Sequence, residues 1–430
     1  MTGLPHLSRR KALAGALGLG ITIEFMGSRA DADTDTDRAR KKLVVIVCRG
    51  GLDGLSLSPP VGDPDYAGLR GAIALPGFGQ PSGALKLDGT FGLHPSLPSL
   101  HALALKGQAR IAPAVATPDR MRSHFEAQDV LESGAPSLYG ATSGWLNRAV
   151  EAMGPSGQVR AISVGATAPL ILRGRIEAAS WSPGGAGQTD HRLAGALQDL
   201  YAHDAWLGPA LANGLATQDM ARVAADDMAA SPVMGAPPAK GEGPAMGGGA
   251  PTGSLQRTGD GQARKLGATL AAFMTQPSGK QVAAVSLEGF DTHANQGAVN
   301  GQLARRLAYV DAFLDGLATG LGPAWRDTVV IMATEFGRTA RINGTGGTDH
   351  GTASTAVLLG GALKPGGIVG DWPTLAANAL FENRDTAPTL DMRGLFKGVL
   401  RDHLGLDRAK LDSQVFPDST AARPVDNLVA

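Results

Sequence analysis

The sequence predicts an α/β protein with three layers (αβα) and a mostly parallel central sheet. Three apolar runs, at 43–48, 282–287 and 328–333, are continuous enough to be strands buried on both faces. Between the second and third runs, apolar residues recur at helical spacing from Val299 to Leu317. Alternation of strands and helices is typical of a parallel sheet covered by helices. We therefore expect one such domain over residues 42–425.

Further elements are predicted along the chain from the same patterns. A helix is expected to begin at Ser123, because Ser123 can cap it and Glu126 stands at the capping-box position. The other predicted strands are Ala109–Ala116, Val159–Val164, Leu170–Leu172 and Ser354–Leu359, and the other predicted helices are 208–230 and Asp391–Leu404. Residues 231–262 are rich in Gly, Pro and Ser and predict a low-complexity, mobile insertion.

Composition limits the partners and the redox chemistry. The 430 residues include 39 basic and 39 acidic side chains, so the chain has no overall attraction for nucleic acid, and we expect no such partner. The single cysteine, Cys48, cannot form an intramolecular disulfide. Because it falls in the first apolar run, it is expected to be a core thiol.

The N-terminus indicates export. Ser8-Arg9-Arg10-Lys11 resembles a twin-arginine signal, an apolar stretch follows, and Ala30-Asp31-Ala32 fits a cleavage site. The alternatives are an anchor helix or a chance Arg-Arg pair, but the apolar stretch is short and rich in glycine for a membrane span. We predict a signal peptide at 1–32, a polar lead-in at 33–41, a periplasmic or otherwise exported location reached by the twin-arginine route, and no stable membrane span after cleavage.

Each of the three main apolar runs leads into a glycine-containing turn with an acid. These acids are Asp53, Asp291 and Glu335. Ligands of open parallel sheets bind at the carboxyl ends of strands, so we expect the three acids to meet at one edge. Their mutual repulsion makes this costly unless a positive group lies among them.

Two histidines suggest what that group is. Asp291 and His293 are two residues apart and share a face of an extended segment, and either His350 or Asp349, from a glycine-rich turn, could complete a site with them. Two imidazoles and a carboxylate suit a divalent metal ion. The alternatives are an ordinary turn at Asp291 and a solvated hairpin tip at His350.

Further candidate residues surround these segments. Ser123 is a candidate nucleophile or simply a helix cap, and His124 a candidate base, metal ligand or packing residue. Arg122 and Arg338 could bind an anionic substrate. Glu335 could bind metal, or it could form an ion pair with Arg338.

Several motifs together resemble the DUF1501 family of exported bacterial proteins of unknown function. They are Arg49-Gly50-Gly51-Leu52-Asp53-Gly54-Leu55-Ser56, Gly92-Leu93-His94-Pro95, Arg122-Ser123-His124-Phe125, Gly144-Trp145-Leu146-Asn147-Arg148, Gly289-Phe290-Asp291-Thr292-His293, Glu335-Phe336-Gly337-Arg338 and Gly347-Thr348-Asp349-His350-Gly351. That family is similar in turn to the alkaline phosphatase and sulfatase superfamily. The resemblance implies an alkaline phosphatase-like fold.

The resemblance also implies residue roles. Asp53 matches the first-strand acid, Ser123 the nucleophile, Asp291 and His293 the Asp-then-His element, and His350 the late histidine. The superfamily pattern has an Asp-His pair at the position of Glu335-Phe336. The sequence departs from this pattern at Phe336, because a phenyl ring cannot bind metal. One intact metal site (Asp291, His293, His350) beside an altered one (Asp53, Glu335) is therefore expected.

Two functions remain open. The first is an exported, metal-dependent hydrolase acting on a phosphate or sulfate ester, with zinc, calcium or manganese as the ion and an anionic small molecule or envelope component as the substrate. The second is a non-catalytic cell-envelope binding or assembly protein that retains the fold. Membership of a superfamily does not decide between them.

Overall fold

The computed structural model describes residues 40–155, 160–164, 169–181, 252–276 and 279–430. The strands of the described residues are β1 (Lys42–Cys48), β2 (Leu85–Lys86), β3 (Gly92–Leu93), β4 (Ala109–Ala116), β5 (Ala161–Val164), β6 (Ala178–Trp181), β7 (Val282–Leu287), β8 (Thr328–Ala333), β9 (Ser354–Leu359) and β10 (Leu390–Asp391). The helices are α1 (Gly54–Leu57), α2 (Tyr66–Arg70), α3 (Pro98–Leu105), α4 (His124–Ser133), α5 (Trp145–Ala152), α6 (Thr252–Thr275), α7 (Gln302–Leu321), α8 (Met392–Leu404) and α9 (Arg408–Lys410).

Eight of these strands form one sheet in the order β10-β4-β9-β8-β1-β7-β5-β6. The three strands that lead to the acids are neighbours, with β1 between β7 and β8 and parallel to both. In this register Ile46 lies beside Val285 on one side and Met332 on the other. Strand β9 runs antiparallel to β8 and to β4. The predicted α/β class with a mostly parallel sheet is confirmed.

Apolar side chains cover both faces of the sheet. Along β1, Val44 and Ile46 belong to one buried cluster, whereas Leu43 and Val45 belong to another. The first cluster includes residues of α6 and α7, and the second includes residues of α5 and α8. Since successive side chains of a strand point to opposite faces, the uninterrupted apolar run of β1 has helices above and below it. This is the predicted three-layer arrangement.

The structure corrects several predicted boundaries. Leu170–Leu172 is a 3₁₀-helical turn, so the predicted strand there is wrong. The last part of the predicted insertion, 252–262, belongs to α6, whose buried Ala263 and Leu270 pack in the same cluster as α7. The packed region also extends past residue 425, because Leu428 is fully buried.

Of the other predicted elements, some are confirmed and some lie outside the described residues. The strands at 109–116 and 354–359 and the helix preceding β8 are confirmed. The predicted signal peptide at 1–32, the helix at 208–230 and the insertion at 231–251 lie outside the described residues. None of the helices in the described ranges is long and apolar enough to cross a membrane.

Candidate metal centre

Five chain segments reach one edge of the sheet. They are the segments after β1, β4, β7 and β8, together with the segment that precedes β9. The last belongs there because β9 is antiparallel, so its first residue lies level with the last residues of its neighbours. The fold thus brings together residues that are far apart in the sequence.

Asp291, His293 and His350 form a close group at this edge. Asp291 Oδ1 lies 3.0 Å from His293 Nε2 and 3.2 Å from His350 Nε2. The two Nε2 atoms are themselves 3.0 Å apart. The three atoms form a nearly equilateral triangle. Bond lengths of 2.0–2.1 Å place neighbouring ligands of a tetrahedral zinc ion about 3.3 Å apart, so this triangle fits one face of such a site.

The hydrogen bonds on the far side of the two rings decide which ring nitrogen carries the hydrogen. His350 Nδ1 lies 2.9 Å from the carbonyl oxygen of Arg122, which can only accept, so Nδ1 carries the hydrogen and donates it. His293 Nδ1 lies 3.4 Å from Asp349 Oδ1 and donates to it. Burial lowers the pKa of His350, which favours its neutral form. When both rings are in this Nδ1–H form, their Nε2 lone pairs face each other and a carboxylate, an arrangement that a cation stabilises.

His124 reaches the same group from the first residue of α4. Its Nδ1 donates to Glu335 Oε1 at 2.9 Å, and its Nε2 lies 3.6 Å from Asp291 Oδ2. The hydrogen bond to Glu335 raises the pKa of His124. His124, Asp291 and His350 each offer a ligand atom within 4.8 Å of the others, so His124 lies close enough to share an ion with them.

Glu335 is the hydrogen-bond acceptor for Nδ1 of His124. It is fully buried and also accepts from the backbone N–H of Gly50 at 2.8 Å and from Gln128 at 3.1 Å. Burial alone would raise the pKa of Glu335, but these hydrogen bonds, led by that of His124, lower it to about 2. Glu335 is therefore an ionised hydrogen-bond acceptor. It contacts Nδ1 of His124, on the side of the ring away from Asp291, and so orients the ring.

Phe336 provides an apolar wall for the group. Its ring centroid lies 4.9 Å from that of His124 and 4.7 Å from that of His350. The side chain is buried. The residue that departs from the expected Asp-His pair thus packs against two imidazoles and restricts their rotation.

Asp53 has a different environment from Asp291. It forms an ion pair with Arg70, and both side chains are buried. Ser56 donates to it at 2.8 Å and Gln296 at 2.6 Å, and Asp53 also caps α1 through Leu55 N. These donors satisfy the carboxylate, so the structure places Asp53 in a buried ion-pair network rather than among the group around Asp291.

The two candidate anion-binding arginines are engaged. Arg338 is buried and donates to Asp291, to the carbonyl of Gly51 at 2.7 Å and to that of Thr348 at 2.9 Å. These contacts occupy the guanidinium that a substrate anion would need. Despite partial burial, Arg338 and the neighbouring histidines lower the pKa of Asp291 and keep it ionised.

Arg122 is held by two acids. Its guanidinium donates to Asp385 at 3.0 Å and to Glu382 at 2.5 Å. Ser123 occupies the predicted N-cap position of α4, but its hydroxyl makes no capping hydrogen bond. The candidate nucleophile is therefore not engaged by the helix that it precedes.

The fold and the site define an α/β protein with a group of histidines and a carboxylate suited to a metal ion. The chain belongs to the DUF1501 family of proteins of unknown function, whose model matches residues 87–415. The matched region includes the segments that carry the histidines and Asp291, and it begins after Asp53. None of the curated proteins matches the chain in sequence.

Solved structures with some likeness to the chain include three proteins. The C-terminal periplasmic domain of EcEptC from Escherichia coli, in complex with Zn, has 9% identity and a TM-score of 0.36, over 78% of this chain and 77% of that chain. The lipoteichoic acid synthase LtaP from Listeria monocytogenes has 10% identity and a TM-score of 0.35, over 84% and 74%. A protein in the alkaline phosphatase superfamily from Vibrio parahaemolyticus has 11% identity and a TM-score of 0.32, over 85% and 72%. At these values the likeness carries no argument about this chain's chemistry.

The buried pair of Asp53 and Arg70 gives a first prediction. Arg70→Met leaves the buried Asp53 carboxylate without its cation, and we expect a loss of about 3–5 kcal/mol in the free energy of unfolding, measured with urea. The double variant Asp53→Asn with Arg70→Met removes both charges and is expected to lose less. Equal losses in the single and double variants would contradict this account.

The pair of His124 and Glu335 makes stability depend on pH. The folded pKa of Glu335, about 2, lies below its ordinary value of 4.5, so its stabilisation is present above pH 4.5 and is lost as the pH falls toward 2. The pKa of His124 is raised, so its stabilisation is full below 6.5 and is lost as the pH rises through the folded value.

Glu335→Gln is therefore expected to flatten the acid side of the stability curve of the metal-free protein. The expected difference is on the order of 2–3 kcal/mol between neutral pH and pH 2.5, measured by urea unfolding. Asp426→Asn, which removes an exposed carboxylate paired with Arg401, is the control. Curves of equal slope for Glu335→Gln and the unmodified protein would rule out this role of Glu335.

Proposed function

We propose that this protein binds one divalent transition-metal ion through Asp291, His293 and His350, and that it is a hydrolase. The observation that carries the proposal is the triangle of ligand atoms, with separations of 3.0, 3.0 and 3.2 Å and with both imidazole Nδ1 atoms held by acceptors. Acceptors behind metal-binding histidines fix the ring and its tautomer in known sites. Three protein ligands leave a further position open, as in catalytic zinc sites.

The donor set narrows the choice of ion. Two or three imidazoles with one carboxylate suit zinc, manganese or another transition metal, whereas calcium prefers six to eight oxygen ligands. Of the three expected ions, calcium is therefore the least suited. When bound, such an ion acts as a Lewis acid and makes a water molecule or an ester more reactive.

His124 is proposed to carry the proton. Glu335 orients the ring, raises its pKa and leaves Nε2 directed toward the group at Asp291. A histidine held by a buried carboxylate is a common general acid or base. In this role His124 Nε2 accepts the proton of the attacking hydroxyl or water and returns it to the leaving group.

A phosphate or sulfate ester is the proposed substrate class. The N-terminus of α4, a helix of ten residues, begins directly at this site. Its first backbone N–H groups favour an anion, and the Ser123 hydroxyl does not cap them. Ser123 is then the proposed nucleophile, with water as the alternative. Export through the twin-arginine route to the periplasm remains part of the proposal.

A two-metal mechanism has little support from the altered site. Two-metal phosphoryl transfer needs both ions to stabilise the attacking and leaving oxygens. Here Asp53 is paired with Arg70, and Glu335 is bound to His124. The same observations favour the second candidate function, a non-catalytic envelope protein that binds a metal for structure or recognition.

Metal content tests the site directly. We expect about one equivalent of transition metal in the purified protein by elemental analysis, and loss of it in the His293→Ala, His350→Ala double variant. His124→Ala is expected to retain most of the metal if His124 carries protons, and to lose it if His124 is a ligand. His101→Ala, whose ring contacts the carbonyl of Lys86, is the control. Unchanged metal content in the double variant would refute the site.

Hydrolysis separates the two functions. The metal-loaded protein is expected to hydrolyse a nitrophenyl phosphate, phosphodiester or sulfate, and His124→Ala is expected to lower kcat by about 10²–10⁴. Ser123→Ala is expected to abolish turnover if Ser123 is the nucleophile and to leave it if water attacks. Metal binding without hydrolysis of any of these esters would favour the non-catalytic protein.

A further inference from the structure

The backbone at Arg122 has an uncommon conformation beside the metal centre. Its φ is +55°, in the left-handed region that residues with a side chain seldom adopt. In this conformation the carbonyl of Arg122 accepts the hydrogen bond of His350 Nδ1 at 2.9 Å. Strained backbone persists only where its surroundings hold it in place.

A group of side chains holds Arg122 in that conformation. We name Arg122, Thr352, Glu382 and Asp385 the arginine clamp. Within it, the guanidinium donates to Asp385 Oδ2 at 3.0 Å and to Glu382 Oε2 at 2.5 Å. Thr352 donates to the same Asp385 oxygen at 2.9 Å, and Asp385 is fully buried. A two-pronged arrangement of this kind fixes the orientation of an arginine as well as its charge.

The carbonyl of Arg122 decides which nitrogen of His350 can bind metal. While the carbonyl accepts from Nδ1, the neutral ring keeps its lone pair on Nε2, which faces Asp291 and His293. If the carbonyl turned away, the hydrogen could move to Nε2, and that nitrogen could no longer be a ligand. Hydrogen-bond partners behind a ligand typically change metal affinity by 10–100-fold.

We infer that Arg122 is a positioning residue, whose clamped, left-handed backbone sets the tautomer of His350 and thereby the affinity of the metal centre. This inference rests on the proposed function, since it concerns the same site. In this role the guanidinium of Arg122 binds Asp385 and Glu382, and its main-chain carbonyl accepts the hydrogen bond of His350.

Two substitutions separate the backbone from the side chain. Arg122→Ala removes the clamp and keeps the cost of a left-handed φ, so we expect zinc affinity to fall by about 10–100-fold in competition with a chromophoric chelator. Arg122→Gly also removes the clamp, but glycine adopts this φ readily, so the loss is expected to be smaller. Arg401→Ala, which removes an arginine paired with Asp402 and Asp426, is the control and is expected to bind zinc normally. Zinc affinity within twofold of the unmodified protein in Arg122→Ala would overturn the inference.

A second measurement does not depend on metal. Nitrogen-15 spectra of the metal-free protein, labelled at histidine and compared with His350→Gln to assign the signal, report the tautomer of His350. We expect the Nδ1–H form in the unmodified protein and a mixture of forms in Arg122→Ala. An unchanged tautomer in Arg122→Ala, or the Nε2–H form in the unmodified protein, would overturn the inference.

The outcomes distinguish this inference from the proposed function. Failure of the unmodified protein to bind zinc would refute the metal centre, while the spectra would still test the tautomer. Normal zinc binding with no effect of Arg122→Ala would refute only the positioning role.

If Arg122→Ala does not fold, Arg122→Lys is the substitute variant, because lysine keeps the charge and loses the two-pronged bond. Zinc binding that is weaker by several-fold in Arg122→Lys would support the inference, and unchanged binding would oppose it.

Discussion

Three carboxylates at the ends of adjacent strands impose the main electrostatic constraint on this protein. Asp53, Asp291 and Glu335 follow β1, β7 and β8, and like charges held so close together need positive partners. The structure gives each a different partner. Asp53 pairs with Arg70, Glu335 accepts from His124, and Asp291 contacts Arg338 as well as two histidines. The unequal partners explain why one acid belongs to a candidate metal centre while the other two support it.

The exposure of these acids follows the same division. Asp53 and Glu335 are buried, whereas 45% of the Asp291 side chain is exposed. A metal ion must enter from solvent and exchange its water for protein ligands, so an accessible carboxylate next to two imidazoles is the suitable place. Buried, fully paired carboxylates instead fix the positions of the loops around it. The two buried acids thus serve stability, and the accessible acid is the one available to a ligand.

Much of the fold could be predicted from the sequence because the central strands are buried on both faces. That burial produces uninterrupted apolar runs such as 43–48, which a pattern detects directly. The same reasoning placed the three acids on one edge and suggested Asp291, His293 and His350 as neighbours. It failed at Leu170–Leu172, where a short apolar run forms a turn, because three residues carry no usable period.

The partners of the acids could not be predicted in the same way. Arg70 and Gln296 come from segments with no motif, and their importance depends on contacts across 17 and 243 residues of sequence. The link from Glu335 to His124 spans 211 residues. Such pairings depend on how the loops pack over the sheet, and the local sequence around each residue does not indicate that packing. The residue types of Arg122-Ser123-His124 indicate candidate side chains, but no residue pattern indicates that the main-chain carbonyl of Arg122 contacts His350.

The antiparallel direction of β9 has a consequence for how the chain is tied together. His350 approaches from before this strand and Asp291 from after β7, so the two sides of the cluster belong to segments 59 residues apart that are joined by α7 and β8. With one cysteine, the chain cannot link them by a disulfide. An ion bound to both would act as a removable cross-link, closing a large loop of the chain and disfavouring its unfolded forms, as a disulfide does. Metal supply would then govern the lifetime of the folded protein as well as its chemistry.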